Sequence, residues 1–389
     1  MTAREARLPL EGITVVSLEQ AVAAPFSTRQ LADLGARVIK VERPDGGDFA
    51  RGYDHAVHGG SSAFLWLNRG KESVELDLKN PERSEDLHLL LERADVVVAN
   101  LAPSALSGLG LDTGTLRRRH PGLIVCQISG YAPDGPQAEK KAYDALIQAE
   151  AGVMSLTGTP GAPARVGVSI ADIAAGSYAF SGILAAIRHR DVTGEALPVQ
   201  VSLFDALTEW MAHPLYLTLY GGTAPVPMGL SHPSIAPYGA FAAADGTSLL
   251  IAVQNEREWV RLCDEVLQEP ALAADVRFSS NPGRVANRAA LDAALGARIG
   301  AQPSSTLTAR LDAAGIAWGR MTEVADLAAH PELDRAGRWM ETRTEHGTVR
   351  TLCPPGTPGG RVAEGGAVPA LGQHTDSVLA ELHPAEENR

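Results

Sequence analysis

The chain has 389 residues, a formal net charge of −12, 45% hydrophobic residues and 21% charged residues, which suits a globular protein of two or three domains rather than one core. No basic block is longer than Arg117-Arg118-Arg119, so a nucleic-acid surface is not expected, while anionic ligands stay open because local cations and helix ends decide them. Cys126, Cys263 and Cys353 lie far apart in an odd number, which excludes a zinc motif and argues against a disulfide framework.

The first two hundred residues alternate strand and helix patterns. A β-branched run at 13–19 is followed by a helical pattern at 26–34. A second strand at 36–42 ends in the breaker Arg43-Pro44-Asp45-Gly46-Gly47, and a third is expected at 73–78. Asn80-Pro81 opens a helix, with Asn80 as its cap and Pro81 at the first helical position. Strands at 95–101 and 123–129 flank one short helix. A long helix of small and aliphatic residues is expected from Asp172 to Arg188, then a strand at 199–203 and a helix at 204–220. Such alternation predicts parallel strands joined by crossovers, an open Rossmann-like α/β sheet, with ligands at the carboxyl ends of its strands.

Gly221 to Pro227 reads as a linker. Runs at 238–244 and 248–253 flank Asp245-Gly246, a hairpin signal. Helices are expected at about 255–268, 284–299 and 304–314. A second hairpin is expected around His346-Gly347, followed by Pro- and Gly-rich chain from Pro354 to Gly366. The expected division is a large α/β domain at 1–220, a smaller α+β domain at 221–325, and a segment at 326–389 returning to the large domain. The N-terminus shows no apolar core of a signal peptide, and no run of about 18 apolar residues stands out. The expected location is cytoplasmic, with no membrane contact.

Several chemistries lack their motifs. There is no GxGxxG and no GxxxxGK[ST], and the histidines show no i, i+4 pair, so neither a nucleotide-binding loop nor a metal site is expected. What stands out is Asp172, in Val166-Gly167-Val168-Ser169-Ile170-Ala171-Asp172. Read alone, it is a helix N-cap, a position Asp favours. Read as a carboxylate kept ionised by a positive helix end, it is a nucleophile toward an acyl group. Arg43, Lys71 and Lys141 near predicted strand ends offer an anionic-ligand surface, since guanidinium and ammonium groups pair with phosphates. Phosphates together with a carboxylate nucleophile suggest a phosphorylated acyl carrier such as coenzyme A.

The segments Leu8 to Ile13, Ala23-Ala24-Pro25-Phe26, Leu31 to Pro44, Leu67 to Ser73, Asn100-Leu101-Ala102-Pro103, Lys141-Ala142-Tyr143-Asp144, Ala171-Asp172, Pro237 to Phe241 and Leu371 to Thr375 resemble, in order, those of the family III CoA-transferases. That family includes formyl-CoA:oxalate transferase, carnitine CoA-transferase and alpha-methylacyl-CoA racemase. The resemblance implies that Asp172 is the catalytic aspartate, which passes through an acyl-aspartyl anhydride and an aspartyl-CoA thioester. It implies that Ala21, Val22, Ala23, Arg43, Asn68, Arg69, Lys71, Asn100, Leu101, Ala102, Lys141 and Tyr143 line a groove for a CoA thioester, which is the substrate, with no metal. An arginine common in the family is replaced by Gly108. An interlocked homodimer is also implied.

Racemases of the family carry a histidine where this chain has Tyr143. A tyrosine, whose pKa is ordinarily about 10, is a poor base at neutral pH, and transfer needs no such base. The oxalate branch has a glycine run that is absent around Met228 to Ser234. The stretches Leu18 to Pro25 and Ser231 to Tyr238 are similar to the subgroup acting on short dicarboxylates: itaconate, mesaconate, citramalate and malate, with succinyl-CoA as donor. A second substrate carboxylate would need donors such as His232, Ser234, Tyr238 or a nearby arginine. A 2-methylacyl-CoA racemase or epimerase and a non-catalytic CoA-binding protein remain as alternatives.

Overall fold

The computed structural model describes residues 7–363 and 366–383. Residues 1–6, on which the signal-peptide expectation falls, 364–365 of the Pro- and Gly-rich stretch and 384–389 of the C-terminal segment lie outside the described residues. The chain packs as two compact units. One comprises residues 1–153, 165–215 and 335–389; the other comprises 154–164 and 216–334. The cuts expected from the sequence were at 220 and 325.

The first unit is built on β1 (Thr14–Leu18), α1 (Ala23–Asp33), β2 (Arg37–Glu42), α2 (Ser62–Asn68), β3 (Lys71–Glu75), α3 (Pro81–Glu92), β4 (Val96–Ala99), α4 (Pro103–Gly108), α5 (Thr113–Arg119), β5 (Ile124–Ser129), α6 (Asp144–Glu150), α7 (Ile170–Thr193), the sixth sheet strand Val199–Ser202 and α8 (Leu203–Trp210). Its strands form one sheet in the order β3-β2-β1-β4-β5 followed by Val199–Ser202, and each pairing is parallel. The order reverses between β1 and β4. This is the switch point outside which such sheets hold ligands.

Both faces of this sheet are covered, so its strands are apolar throughout rather than alternating with polar residues. Val15, Val38, Val96, Val98 and Ile124 pack under α1 and α7. Their neighbours Val16, Ile39, Val97 and Val125 pack on Leu87 and Leu91 of α3 and on Val378 and Leu382 of the C-terminal helix Thr375–Leu382, as a period of two requires. The tail also protects the edge strand β3. His374 donates its N–H to Ser73 O at 2.9 Å, and Glu75 donates its N–H to Thr375 Oγ1 at 2.9 Å.

Most expected elements are present. Asn80 caps α3 with Pro81 in its first turn. The His346-Gly347 turn joins the antiparallel pair Trp339–Thr344 and Gly347–Leu352. Three expectations need correction. Two short helices, not one, lie between β4 and β5. The helix expected at 204–220 breaks at Met211 into α8 and α9 (Ala212–Gly221). And α7, at 24 residues, is long and apolar enough to cross a membrane. Here it is the core helix of the first unit, with Ala171, Ala174, Ala175, Ala179 and Ile183 fully buried.

The second unit carries a three-stranded antiparallel sheet of Tyr238–Ala242, Ser248–Ala252 and Ala317–Arg320, with Ser248–Ala252 in the middle. Gly246, with φ +80°, makes the expected turn, a conformation glycine adopts at little cost. Trp259, Leu291, Leu295, Leu307 and Leu311 form its core.

Candidate active site

Ser169, not Asp172, is the N-cap of α7. Asp172 is the third helical residue, half-buried, on the first turn. The loop before it is held by side chains of α6. Asp144 Oδ1 accepts the Ala171 N–H at 2.8 Å and Gln148 Oε1 accepts the Val166 N–H at 2.8 Å. Gln148 Nε2 in turn donates to Asp144 Oδ2 at 2.7 Å. The Asp172 carboxyl is not held in the ordinary ionised range as the sequence suggested. Burial, and then the negative charge of Asp144, push its pKa up to about 7; near neutral pH it exchanges its proton readily, and above that it is a carboxylate with little water around it.

Opposite α7 lies the turn from β1 into α1. Gly176 is one helical turn beyond Asp172, on the same face. A Cβ on Gly176 would come within 2.5 Å of Ala23 O and 3.0 Å of Phe26 Cδ1. The glycine therefore lets α7 close on the first turn of α1, which brings Asp172 toward the Gln20–Ala23 loop. That helix has no capping side chain at Val22, and among the described residues the N–H groups of Val22, Ala23 and Ala24 donate to no acceptor. Tyr53 stands in the same neighbourhood. Its phenol is raised by burial and by the nearby negative charges of Asp48, Asp172 and Tyr143.

The Gln20–Ala23 loop is fixed across the switch point. Asn100, after β4, accepts the Gln20 N–H on Oδ1 at 2.9 Å and donates Nδ2 to Gln20 O at 2.8 Å. Beneath it lies a buried ion cluster. Lys40 Nζ donates to Asp48 Oδ2 at 2.7 Å and lies 3.4 Å from Glu19 Oε1. Lys71 Nζ donates to the same Glu19 oxygen at 2.6 Å, to Pro25 O at 3.1 Å and to Asn68 Oδ1 at 3.0 Å. Arg51 pairs with Glu42 at 2.7 Å, and Glu42 also accepts from Ser73 Oγ at 2.6 Å. Three cations and three carboxylates balance. Burial alone would raise the Glu19 carboxyl, but Lys71 and Lys40 outweigh it and hold it low. Burial prevails at Lys71, whose pKa falls to about 8.

The residues named as a ligand groove therefore separate into groups. Ala21, Val22, Ala23, Asn100 and Leu101 come together at the switch point. Ala102 begins α4 as its uncapped N-cap. The Lys71 ammonium is not on an anionic-ligand surface as expected; it is fully buried. Asn68 is buried with it, donating Nδ2 to Phe64 O at 3.1 Å. Arg69 is also turned inward, gripping Asp33 through Nε at 2.9 Å and Nη2 at 3.0 Å. Arg43 stays at the surface over the Phe49 ring, 4.5 Å from its centroid, and pairs with Asp45 at 3.4 Å. Lys141 is exposed and makes no ion pair among the described residues, while Lys140 is engaged by Glu150. Tyr143 is 71% exposed just before α6.

Sequence reasoning missed the cavity these residues border. About 210 Å³ opens at the carboxyl ends of β1 to β4, walled by Leu76, Leu78, Leu101 and Leu109, with Arg43 and Lys79 as its cations and Glu19, Glu42, Asp48 and Asp77 as its carboxylates. Lys79 lies in the turn four residues beyond β3, directly after the strand expected at 73–78, and that was the available signal.

His232, Ser234 and Tyr238 belong to the second unit and are close together there. The His232 ring stacks on Tyr238 with centroids 5.2 Å apart, and the Ser234 N–H donates to His232 Nδ1 at 3.2 Å. The arginine missing from the sequence reading is Arg288, whose Nη2 donates to His232 O at 2.7 Å and Ile235 O at 2.8 Å.

Comparison with known proteins gives this geometry its context. Residues 10–375 match the family model CoA-transferase family III. The chain is 35% identical to the succinate–glutarate CoA-transferase of Agrobacterium fabrum over 97% of this chain and 96% of that protein. It is 37% identical to the acetyl-CoA:oxalate CoA-transferase of Acetobacter aceti over 83% of each. A crystal structure of a CAIB/BAIF family protein from Brucella suis superposes with a TM-score of 0.87 at 35% identity, covering 97% of this chain and all of that one. The chain belongs to family III of the CoA-transferases and is an enzyme of that class.

Proposed function

We propose that the enzyme moves CoA from succinyl-CoA to a short dicarboxylate, with Asp172 as the covalent relay. The observation that carries this reading is a half-buried carboxyl with a pKa of about 7 on the first turn of α7, set against a helix start with unused N–H donors. A poorly hydrated carboxylate is a competent nucleophile, and unused N–H groups suit the oxyanion of each tetrahedral intermediate.

The steps balance without an outside base. An Asp172 carboxylate oxygen attacks the thioester carbonyl carbon, the C–S bond breaks, and CoA leaves as the thiolate. The thiolate attacks the Asp172 carbonyl carbon of the resulting anhydride, releasing the donor carboxylate and leaving an aspartyl-CoA thioester. The acceptor carboxylate attacks that same carbon and expels the thiolate. The thiolate then attacks the acceptor's acyl carbon, which frees Asp172. Each step exchanges one activated acyl bond for another.

We assign the leucine-walled cavity to the adenosine end of CoA and its phosphates to Arg43 and Lys79, because an apolar slot with cations fits a base and phosphates. His232, Ser234, Tyr238 and Arg288 are our candidates for the acceptor's second carboxylate. Glutarate joins mesaconate, itaconate, citramalate and malate as acceptors on the strength of the Agrobacterium relative's name, and oxalate enters the test through the Acetobacter one. The working form we propose is a homodimer; exposed Leu215, Leu219 and Tyr220 of α9 support a partner surface.

The test incubates the protein with succinyl-CoA and a pool of these acids and identifies new CoA esters by mass spectrometry. A new dicarboxylate ester supports the reading. No new ester, together with solvent deuterium entering a branched acyl-CoA, overturns it in favour of racemisation.

A further inference from the structure

Ala21 has φ +61° and is one of three non-glycine residues with positive φ among the described residues. A side chain disfavours this left-handed conformation, which persists only where surrounding structure enforces it. The enforcing contact is visible. The Ala21 N–H donates to Asp48 Oδ1 at 2.9 Å, and the same oxygen accepts the Ala50 N–H at 2.9 Å. Asp48 Oδ2 takes Lys40 Nζ at 2.7 Å, and the Asp48 N–H donates to Glu42 Oε2 at 3.0 Å. Asp48 and Lys40 are both buried, 2% and 0% exposed. Asn100 pins the preceding residue, Gln20, from the other side of the switch point.

A buried charged side chain gripping the backbone of one strained residue is an expensive arrangement for a mere turn. Burying ions costs free energy that their mutual attraction only partly returns. Its consequence lies next door. Two residues after Ala21 the α1 helix begins, with its unused N–H groups, and Ala23 O packs on Gly176 of the helix that carries Asp172. If Ala21 relaxed to a negative φ, the start of α1 would move relative to Asp172.

We propose that Asp48, held by Lys40, is a positioning residue for the transfer reaction. It keeps Ala21 left-handed, and so keeps the start of α1 in register with Asp172. It lines the cavity assigned to adenosine but acts through Ala21, not on the reacting atoms. The inference rests on the reading of Asp172 as covalent relay.

The test is a double-mutant cycle of Asp48→Asn and Ala21→Gly on the full chain, with kcat, KM for succinyl-CoA, thermal midpoint and the amount of CoA covalently attached at Asp172 as readouts. Glycine tolerates the left-handed conformation without enforcement. We expect Asp48→Asn to lower kcat at least tenfold in folded protein with KM changed less than threefold, and to cost at least threefold less in the Ala21→Gly background. An equal penalty in both backgrounds, or a folded Asp48→Asn protein with kcat within threefold of the parent, overturns the proposal. Should Asp48→Asn not fold, Ala21→Pro decides, because it removes the N–H and forbids positive φ. Folded Ala21→Pro with undiminished kcat overturns the proposal, and a tenfold loss at unchanged thermal midpoint supports it. Absence of a CoA adduct in the parent protein defeats the Asp172 reading itself, whereas a normal adduct with additive mutational effects defeats only this one.

Discussion

The carbonyl oxygen of Ala23 occupies the space that a side chain on Gly176 would need, 2.5 Å from the ideal Cβ position. Two helices meet there backbone to backbone, with the Phe26 ring alongside, one turn from Asp172. Backbone, not a flexible side-chain tip, fills the space, so the contact cannot be relieved by a rotamer change. Gly176→Ala is expected to cost about 1–3 kcal/mol, as overpacking does, and to lower kcat more than its effect on KM. Thermal unfolding and steady-state kinetics on the same preparation check both.

The raised Asp172 pKa sets a pH profile. The nucleophile is the carboxylate, so kcat/KM is expected to rise with pH through about 7 and level off above it. Asp144→Asn removes the second cause of the shift while an amide oxygen still accepts the Ala171 N–H. The limb moves to lower pH but stops short of an ordinary aspartate, because burial is the larger cause. A limb unmoved by the substitution would contradict the assignment of Asp144.

The same shift has a stability consequence of definite sign. Folding raises the Asp172 pKa from its ordinary value of 3.8 to about 7. Its neutral form is therefore favoured by the fold, and stability is lost as pH rises from about 4 through 7. Asp172→Asn, always neutral, is expected to be more stable than the parent above pH 7 by up to about 4 kcal/mol, with the advantage fading toward pH 4. Denaturant unfolding at pH 4 and pH 8 measures this.

Glu19→Gln leaves Lys40 and Lys71 buried with half their compensation. Breaking a buried ion pair from one side costs about 3–5 kcal/mol, and the unfolding midpoint should fall accordingly. Little change would mean that water already reaches the cluster.

Arg43→Ala and Lys79→Ala are expected to raise KM for acyl-CoA roughly tenfold each, since a hydrogen bond to a charged group contributes about 1.5–3 kcal/mol, with kcat little altered. Added salt should weaken binding in the parent more than in the variants.

Local signals were readable in the sequence: Asn80-Pro81 opens a helix and Asp245-Gly246 turns a hairpin, because those residues act within a few positions of themselves. Long-range electrostatics were not. Lys40 looks like an outward polar residue in Arg37–Glu42, but strand register sets it beside Ser17 and Ser73, in the layer where Glu19 and Lys71 also point. Lys71 was read as a phosphate ligand for the same reason: a lysine near a strand carries no mark of which way its ammonium turns. Asp172 was legible as a carboxyl at a helix start, whereas the proximity of Asp144, which changes its proton affinity, depends on α6 folding back along α7. Arg288 and Lys79 escaped notice because neither sits in a motif.

The most direct test of the central claim is a search for CoA bound to Asp172. The protein is mixed with succinyl-CoA without acceptor, quenched in acid, digested and analysed by mass spectrometry. The account predicts a CoA thioester on the peptide containing Asp172, which disappears when the acceptor acid is added and is absent from Asp172→Ala. Transfer by Asp172→Ala at the parent's rate, with no adduct on any peptide, would contradict it.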